Sequence, residues 1–239
     1  MNAKSFESEE YWTERYNDPQ QRRGQLFDWY IISFAKLADI IGPVLLQQFA
    51  VDDHDENNAT NAILRSSPVA LIDVGCGNSP FLTDAAAYVK AHCRSPLINE
   101  KVFIGTDFSE VAVLEQSQLL SRNTEVENMQ VRFTHADARM TIGAEESSVA
   151  VVMDKATLDA VDCSGNEENA SAVVSTCVKS LVPGGYFFSL TCRPAARRTE
   201  TILRGITTSG VQCEHISTVS LNNDPVSPSH LLIFKRSAE

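Results

Sequence analysis

No stretch of this chain approaches the ~20 consecutive apolar residues that span a bilayer as a helix. None of its six cysteines stands in a C-x-x-C pair or at metal-ligand spacing with the five histidines. A helical membrane span and a zinc site therefore drop out, and neither a metal nor a membrane partner is expected. Bases are scarce: 20 lysines and arginines face 31 acids, for a net charge of -11. That balance argues against nucleic acid recognition through a broad basic surface, and it suits a basic protein partner as well as ordinary solubility. Cys76, Cys93, Cys163, Cys177, Cys192 and Cys213 read as mostly buried thiols in a reducing compartment. The N-terminus, Met-Asn-Ala-Lys-Ser-Phe-Glu-Ser-Glu-Glu, has neither a signal-peptide core nor the Arg-rich, acid-poor character of a mitochondrial presequence. The expected compartment is the cytosol, with a mitochondrial address open if a leader is missing.

What is present is a chain of 239 residues, 43% hydrophobic, enough for one sizeable core. Its most informative stretch is Val69-Ala-Leu-Ile-Asp-Val-Gly-Cys-Gly-Asn-Ser79. The run Val69 to Val74 is short, aliphatic and bounded by turn residues, as in a buried parallel strand, and the segment after Pro80 has helical composition. Gly75 and Gly77 then form a strand-to-helix turn, where glycine reaches left-handed dihedrals cheaply and lets a ligand approach the backbone. Taken alone, Gly-x-Gly fits a ligand-free connection equally well, because the third glycine of the dinucleotide fingerprint is absent.

From residue 69 onward apolar runs alternate with helical segments, the pattern of a parallel sheet covered on both faces. Strands are expected at 69–74, 101–107, 130–134, 149–154, 185–192, 212–219 and 230–236, and helices at about 80–92, 110–122, 167–181 and 196–209. No helix fits between the last two strands, whose short connection carries Pro225 and Pro228, so they pair as an antiparallel hairpin. Residues 11–49 are aromatic-rich and mostly helical in pattern, while Asp52 to Asn61 is acidic and without apolar periodicity, an exposed loop. The expected division is an N-terminal helical lid and acidic loop over 1–62 and one α/β domain over 63–239.

Acids stand at the ends of successive strands. Asp107, followed by Phe108, closes the second, where a carboxylate can accept both hydroxyls of a ribose. Capping of the next helix by Asp107 or Ser109 explains it as well. Asp137 and Ala138 follow the third strand, where the acid can take an adenine amino group. The fourth strand ends in Asp154-Lys155 and continues through Asp159, a candidate acceptor-side pair or a salt-bridged helix start. One such acid means little, but acid-bearing turns at successive strand ends converge on the crevice where open α/β sheets bind ligands. Pro183-Gly184-Gly185 reads as a helix stop and strand entry without chemistry.

Four strings carry a family resemblance: Tyr11-Trp12-x-x-Arg15-Tyr16, Phe27-Asp28-Trp29-Tyr30, Asp73-Val-Gly-Cys-Gly-Asn-Ser79 and Asp154-Lys-Ala-Thr-Leu-Asp-Ala160. Together they resemble the seven-β-strand, S-adenosylmethionine-dependent protein-lysine methyltransferases that act on translation elongation factor 1A and on citrate synthase. Gly105-x-Asp-Phe-Ser-x-Val-Ala-Val113 and His135-Ala-Asp-Ala-Arg139 resemble the citrate synthase branch. The resemblance implies a Rossmann-like class I methyltransferase fold with S-adenosyl-L-methionine as cofactor and a lysine-presenting protein as substrate. It implies Asp73, Gly75 and Gly77 at the methionine half, Asp107 and Phe108 at the ribose, and Asp137 and Ala138 at the adenine. Arg15 would reach the methionine carboxylate, with Trp12 and Trp29 packing over the pocket, and Asp154 would lie closest to the transferred methyl and the acceptor nitrogen; Asp154 and Asp159 are the catalytic candidates, either of which would orient the lysine ammonium. Ala156 departs from the family string, which usually has glycine there. The alternatives kept open are a small-molecule methyltransferase, a non-catalytic cofactor-binding scaffold and a nicotinamide dehydrogenase.

Overall fold

The structure is a computed structural model and describes residues 6, 8–18, 32–49, 59–163, 165–221 and 228–238. The strands are β1 (Val69–Val74), β2 (Val102–Asp107), β3 (Gln130–His135), β4 (Val149–Lys155), β5 (Leu181–Thr191), β6 (Cys213–Leu221) and β7 (Ser229–Arg236). They form one seven-stranded sheet of order β3-β2-β1-β4-β5-β7-β6. Pairing is parallel from β3 through β5, and β7 runs antiparallel to both β5 and β6. The mostly parallel sheet and its antiparallel end are those that the apolar runs imply.

Among the described residues the helices are α1 (Glu9–Asn17), α2 (Phe34–Gln47), α3 (Ala59–Ser66), α4 (Phe81–His92), α5 (Glu110–Leu120), α6 (Thr157–Asp162), α7 (Glu167–Ser180) and α8 (Ala195–Ser209), with a 3-10 turn at Pro96–Asn99. Every residue of β1 and β4 is buried, because helices cover both faces of the central sheet. Alternation along each strand sends neighbours to opposite layers. Met153 and Phe188 join the layer under α2 and α4, whereas Val152 and Phe187 join the layer under α7 and α8. The chain leaves β1 for β2 on one side and returns to β4 on the other, so the crevice opens at the carboxyl ends beside β1.

Three elements differ from the sequence expectation. β5 begins at Leu181, ahead of Pro183-Gly184-Gly185, because Leu181 already pairs with Val149 before an irregularity that next pairs Val151 with Tyr186. α3 begins at Ala59, inside the stretch expected as loop, and α6 went unanticipated because six residues are too few to display a helical period. Within the aromatic-rich N-terminal region, α1 and α2 are helical, and Phe27, Asp28, Trp29 and Tyr30 lie outside the described residues.

α7 and α8 cross closely at Gly205, where an added Cβ would stand 2.4 Å from Val174 Cβ and 2.9 Å from Ser171 O. Alanine gains about 1 kcal/mol of helix propensity over glycine, but overpacking costs about 1–3 kcal/mol. Gly205→Ala is therefore expected to lower stability by about 1–2 kcal/mol, measured by urea denaturation; a stabilised variant would show that α8 can move off α7.

Candidate functional site

One cavity lies at the carboxyl ends of β1 to β4. Its wall includes Gly75 from the first turn, Asp107 and Phe108 from the end of β2, Ala136 to Arg139 after β3, and Lys155, Ala156, Thr157, Ala160 and Val161 from β4 into α6. Phe6, Trp12 and Tyr16 close it from the N-terminal side.

The turn after β1 needs glycine for two separate reasons. Gly75 and Gly77 have φ of +62° and +53°, where a Cβ is strained. Space is also lacking, since a Cβ on Gly75 would fall 2.1 Å from Thr157 Oγ1, and one on Gly77 would fall 2.6 Å from the Tyr16 hydroxyl. Thr157 Oγ1 donates to the Val74 carbonyl at 2.7 Å, seating α6 against the turn. Between the glycines, Cys76 is buried, and burial together with the Asp107 and Asp73 carboxylates pushes its thiol well above the ordinary value. A neutral thiol there fills space.

Asp107 ties β2 to this turn. Its Oδ2 accepts the Gly77 N–H at 2.9 Å and its Oδ1 accepts the Ser109 N–H at 2.8 Å. Burial raises its pKa from 3.8 to about 6, against the lowering effect of those donors. Tyr16 is buried nearby, and burial followed by the Asp107 charge pushes its phenol well above 10.0. On the adjacent turn, Asp137 accepts from Arg139 Nε at 2.9 Å and Nη2 at 2.7 Å. Partial burial pushes that carboxyl up, but the hydrogen bonds and charge of Arg139 outweigh it and hold it below 3.8.

α1 docks across these strand ends. Glu9 lies 3.5 Å from His135 Nε2, the Thr13 hydroxyl stands 3.4 Å from that of Ser109, and Trp12 Nε1 donates to the Phe6 carbonyl at 2.7 Å. Trp12 and Tyr16, four residues apart, share one face and meet at 5.9 Å between ring centroids.

The structure thus brings Gly75, Asp107, Phe108, Asp137 and Ala138 to one cavity, with Gly77 bound to its edge and Asp73 buried on β1 beneath the turn. Arg15 is not among the cavity wall residues; its guanidinium lies 5.8 Å from the Trp12 ring centroid. Trp29 lies outside the described residues. Asp154 and Asp159 do not line the cavity either. Asp154 accepts from Leu158 N at 3.0 Å and from Ser189 Oγ at 2.6 Å. Asp159 accepts from Thr191 Oγ1 at 2.6 Å and Cys192 N at 3.1 Å, and Arg198 is bound to it. Strand pleating explains the outcome: Asp154 shares the layer of Val152, and Lys155 takes the opposite one. Tyr16 and Thr157 are wall residues to which the sequence reading gives no role, whereas Lys155 is the member of the Asp154-Lys155 strand end that lines the cavity. For Tyr16 the signal was present in its spacing from Trp12.

The family described as Methyltransferase domain matches residues 65–224. The chain is similar to the mitochondrial citrate synthase-lysine N-methyltransferases of Pongo abelii and Homo sapiens, at 28% and 27% identity over 183 residues, 73% of this chain. The matched part spans 65% of the length of each of those relatives. Among solved structures, magnesium protoporphyrin IX methyltransferase from Synechocystis PCC 6803 superposes with a TM-score of 0.55 at 17% identity, covering 96% of this chain and 97% of that one.

Burial raises the Asp154 pKa from 3.8 to about 6, opposed by Arg198, Ser189 and the Leu158 N–H. A carboxyl raised in the folded state stabilises the fold fully below its unfolded value, and that contribution is lost as pH rises through about 6. Asp154→Asn is expected to reduce the difference in unfolding free energy between pH 5 and pH 7.5 by roughly 1 kcal/mol. Chemical denaturation at the two pH values measures it, and an unchanged difference would mean that Asp154 is ionised throughout.

Proposed function

The chain belongs to the methyltransferase-domain family, and from that membership we propose that it transfers a methyl group from S-adenosylmethionine to the side-chain amine of a lysine in a protein substrate. The observation that carries the cofactor half is the buried Asp107 carboxylate bound to the Gly77 N–H, which joins an acid and a glycine turn at one cavity edge. An ionised carboxylate offers about four acceptor positions. The Gly77 and Ser109 N–H groups take two, and the Phe108 N–H also acts on the carboxylate, so acceptor capacity remains for a ribose hydroxyl. Asp137 already accepts from the Arg139 N–H, Nε and Nη2, so it takes an adenine amino group by giving up part of that pairing. The cavity bordered by the Gly75 backbone suits the methionine half, and Phe108, Trp12 and Val161 supply an apolar surface that excludes water.

When bound, the sulfonium supplies a methyl group that is already activated. The chain then has to align an amine lone pair and keep water out. A lysine amine, with an unperturbed pKa of about 10.4, must lose its proton first, which burial against the aromatic cluster of α1 favours. In this reading Trp12 and Tyr16 belong to the acceptor entrance, and α1 acts as the lid. Asp154 and Asp159 support the wall carried by α6, and Arg15 remains a candidate for the methionine carboxylate from the lid. The protein substrate is supported by the kinship at 28% identity with citrate synthase-lysine methyltransferases.

Calorimetry with S-adenosylhomocysteine and with NAD tests the cofactor, and only the first is expected to bind. Loss of one charge-assisted hydrogen bond worth about 1.5–3 kcal/mol predicts roughly 10- to 100-fold weaker binding by Asp107→Ala. Transfer of labelled methyl from S-adenosylmethionine into a protein lysate, followed by mass-spectrometric mapping, tests the acceptor. Label on one lysine of one protein is expected; label confined to small molecules would reject the protein substrate.

A further inference from the structure

Arg198 of α8 is fully buried, 0% exposed, and no sequence pattern marks it. Its Nη2 donates to Asp159 Oδ1 and lies 2.9 Å from Asp162 Oδ2. Among the described residues its Nε and Nη1 have no hydrogen-bond partner. Removing a guanidinium from water is costly, and leaving two donors unmade adds to the cost, so well-packed apolar side chains generally give equal or greater stability. A buried cation kept on these terms is better explained by the geometry that it enforces.

That geometry is the placement of α6. Six residues cannot sustain a helix alone, because nucleation is unfavourable and each end leaves backbone groups unmet. The residue before it, Ala156, sits at φ +73°, a left-handed conformation that a side chain disfavours. At 100° per residue, Thr157, Ala160 and Val161 fall on one side of α6, and these residues line the cavity. Asp159 and Asp162 fall on the other side, and both meet Arg198. The short helix is therefore gripped from behind by the buried Arg198, with the partly exposed Arg193 Nε 3.7 Å from the same two carboxylates, while its front forms the wall next to Gly75.

We infer that Arg198 is a positioning residue: by holding Asp159 and Asp162 it fixes the α6 wall of the cofactor cavity. The inference rests on the reading of that cavity as the S-adenosylmethionine site. Arg198 touches no cavity surface itself and acts through α6. Asp154 adds its own field on the same side, and together the three carboxylates outweigh the burial that opposes the Arg198 charge.

The experiment compares the full chain, Arg198→Met, and the triple variant Arg198→Met/Asp159→Asn/Asp162→Asn, reading S-adenosylhomocysteine affinity by calorimetry and Tm by scanning. Arg198→Met is expected to bind at least tenfold more weakly and to melt lower, since two carboxylates lose their buried cation and keep only Arg193, at 3.7 Å. The triple variant removes those two charges, so its Tm is expected to recover while its affinity stays at least tenfold reduced. If affinity recovers together with Tm, or if Arg198→Met binds as tightly as the unaltered chain, Arg198 serves stability alone and the inference is overturned. Failure of the unaltered chain to bind would instead overturn the cofactor reading, and this inference with it.

Discussion

The hydrogen bond from the Gly77 N–H to the Asp107 carboxylate joins the turn after β1 to the end of β2, and the candidate site is arranged around it. It requires a left-handed glycine to aim the N–H, a buried acid to accept it, and the parallel pairing of β1 with β2 to bring the two within reach. In a water-poor crevice such a charge-assisted bond is stronger than at the surface, and breaking it leaves a buried carboxylate short of a donor. The Tyr16 hydroxyl occupies the space over Gly77 that a side chain would need, so the turn and the N-terminal helix are fitted to each other.

Across the sheet switch point, the opposite wall adds a buried ion-pair cluster to the backbone donors that reach Asp154 and Asp159. β4 delivers Lys155 and Ala156 to the cavity, and the chain then enters a helix too short to hold its own position. Packing of Leu158 into the layer under α7 and α8, the Thr157 hydrogen bond to Val74 and the Arg198 cluster together hold it. The strained Ala156 dihedral is tolerated because those three contacts over-determine the segment. One wall is thus tied by a single bond between strands, and the other is clamped between a glycine turn and a buried cation.

The two walls divide the proposed chemistry. Acids at the ends of β2 and β3 suit a nucleoside with hydroxyl and amino donors, and the apolar faces of Trp12, Phe108 and Val161 suit a sulfonium and an amine brought together without water. α1 reaches both, since Glu9 and Thr13 approach the ends of β3 and β2 while Trp12 and Tyr16 close the cavity. A lid docked on the strand ends keeps the aromatic surface close to the acids.

The sequence by itself determined the order of the strands and of the longer helices from β1 onward, α6 excepted, because short aliphatic runs and amphipathic segments alternate with clear punctuation. It also determined the glycine turn and the acids Asp107 and Asp137 at the cavity, because residues at successive parallel strand ends must share one edge. Only the tertiary structure decided which way the acids after β4 face. Asp154 and Lys155 are adjacent, and the choice of which enters the cavity depends on which sheet face the crevice opens toward, a relation among distant elements. Arg198 was hidden for a similar reason: Arg197-Arg198 reads as a solvated helix surface until α8 is packed over Asp159 and Asp162. Local pattern specifies elements and edges, whereas the burial of a charge is set by partners far away in the chain.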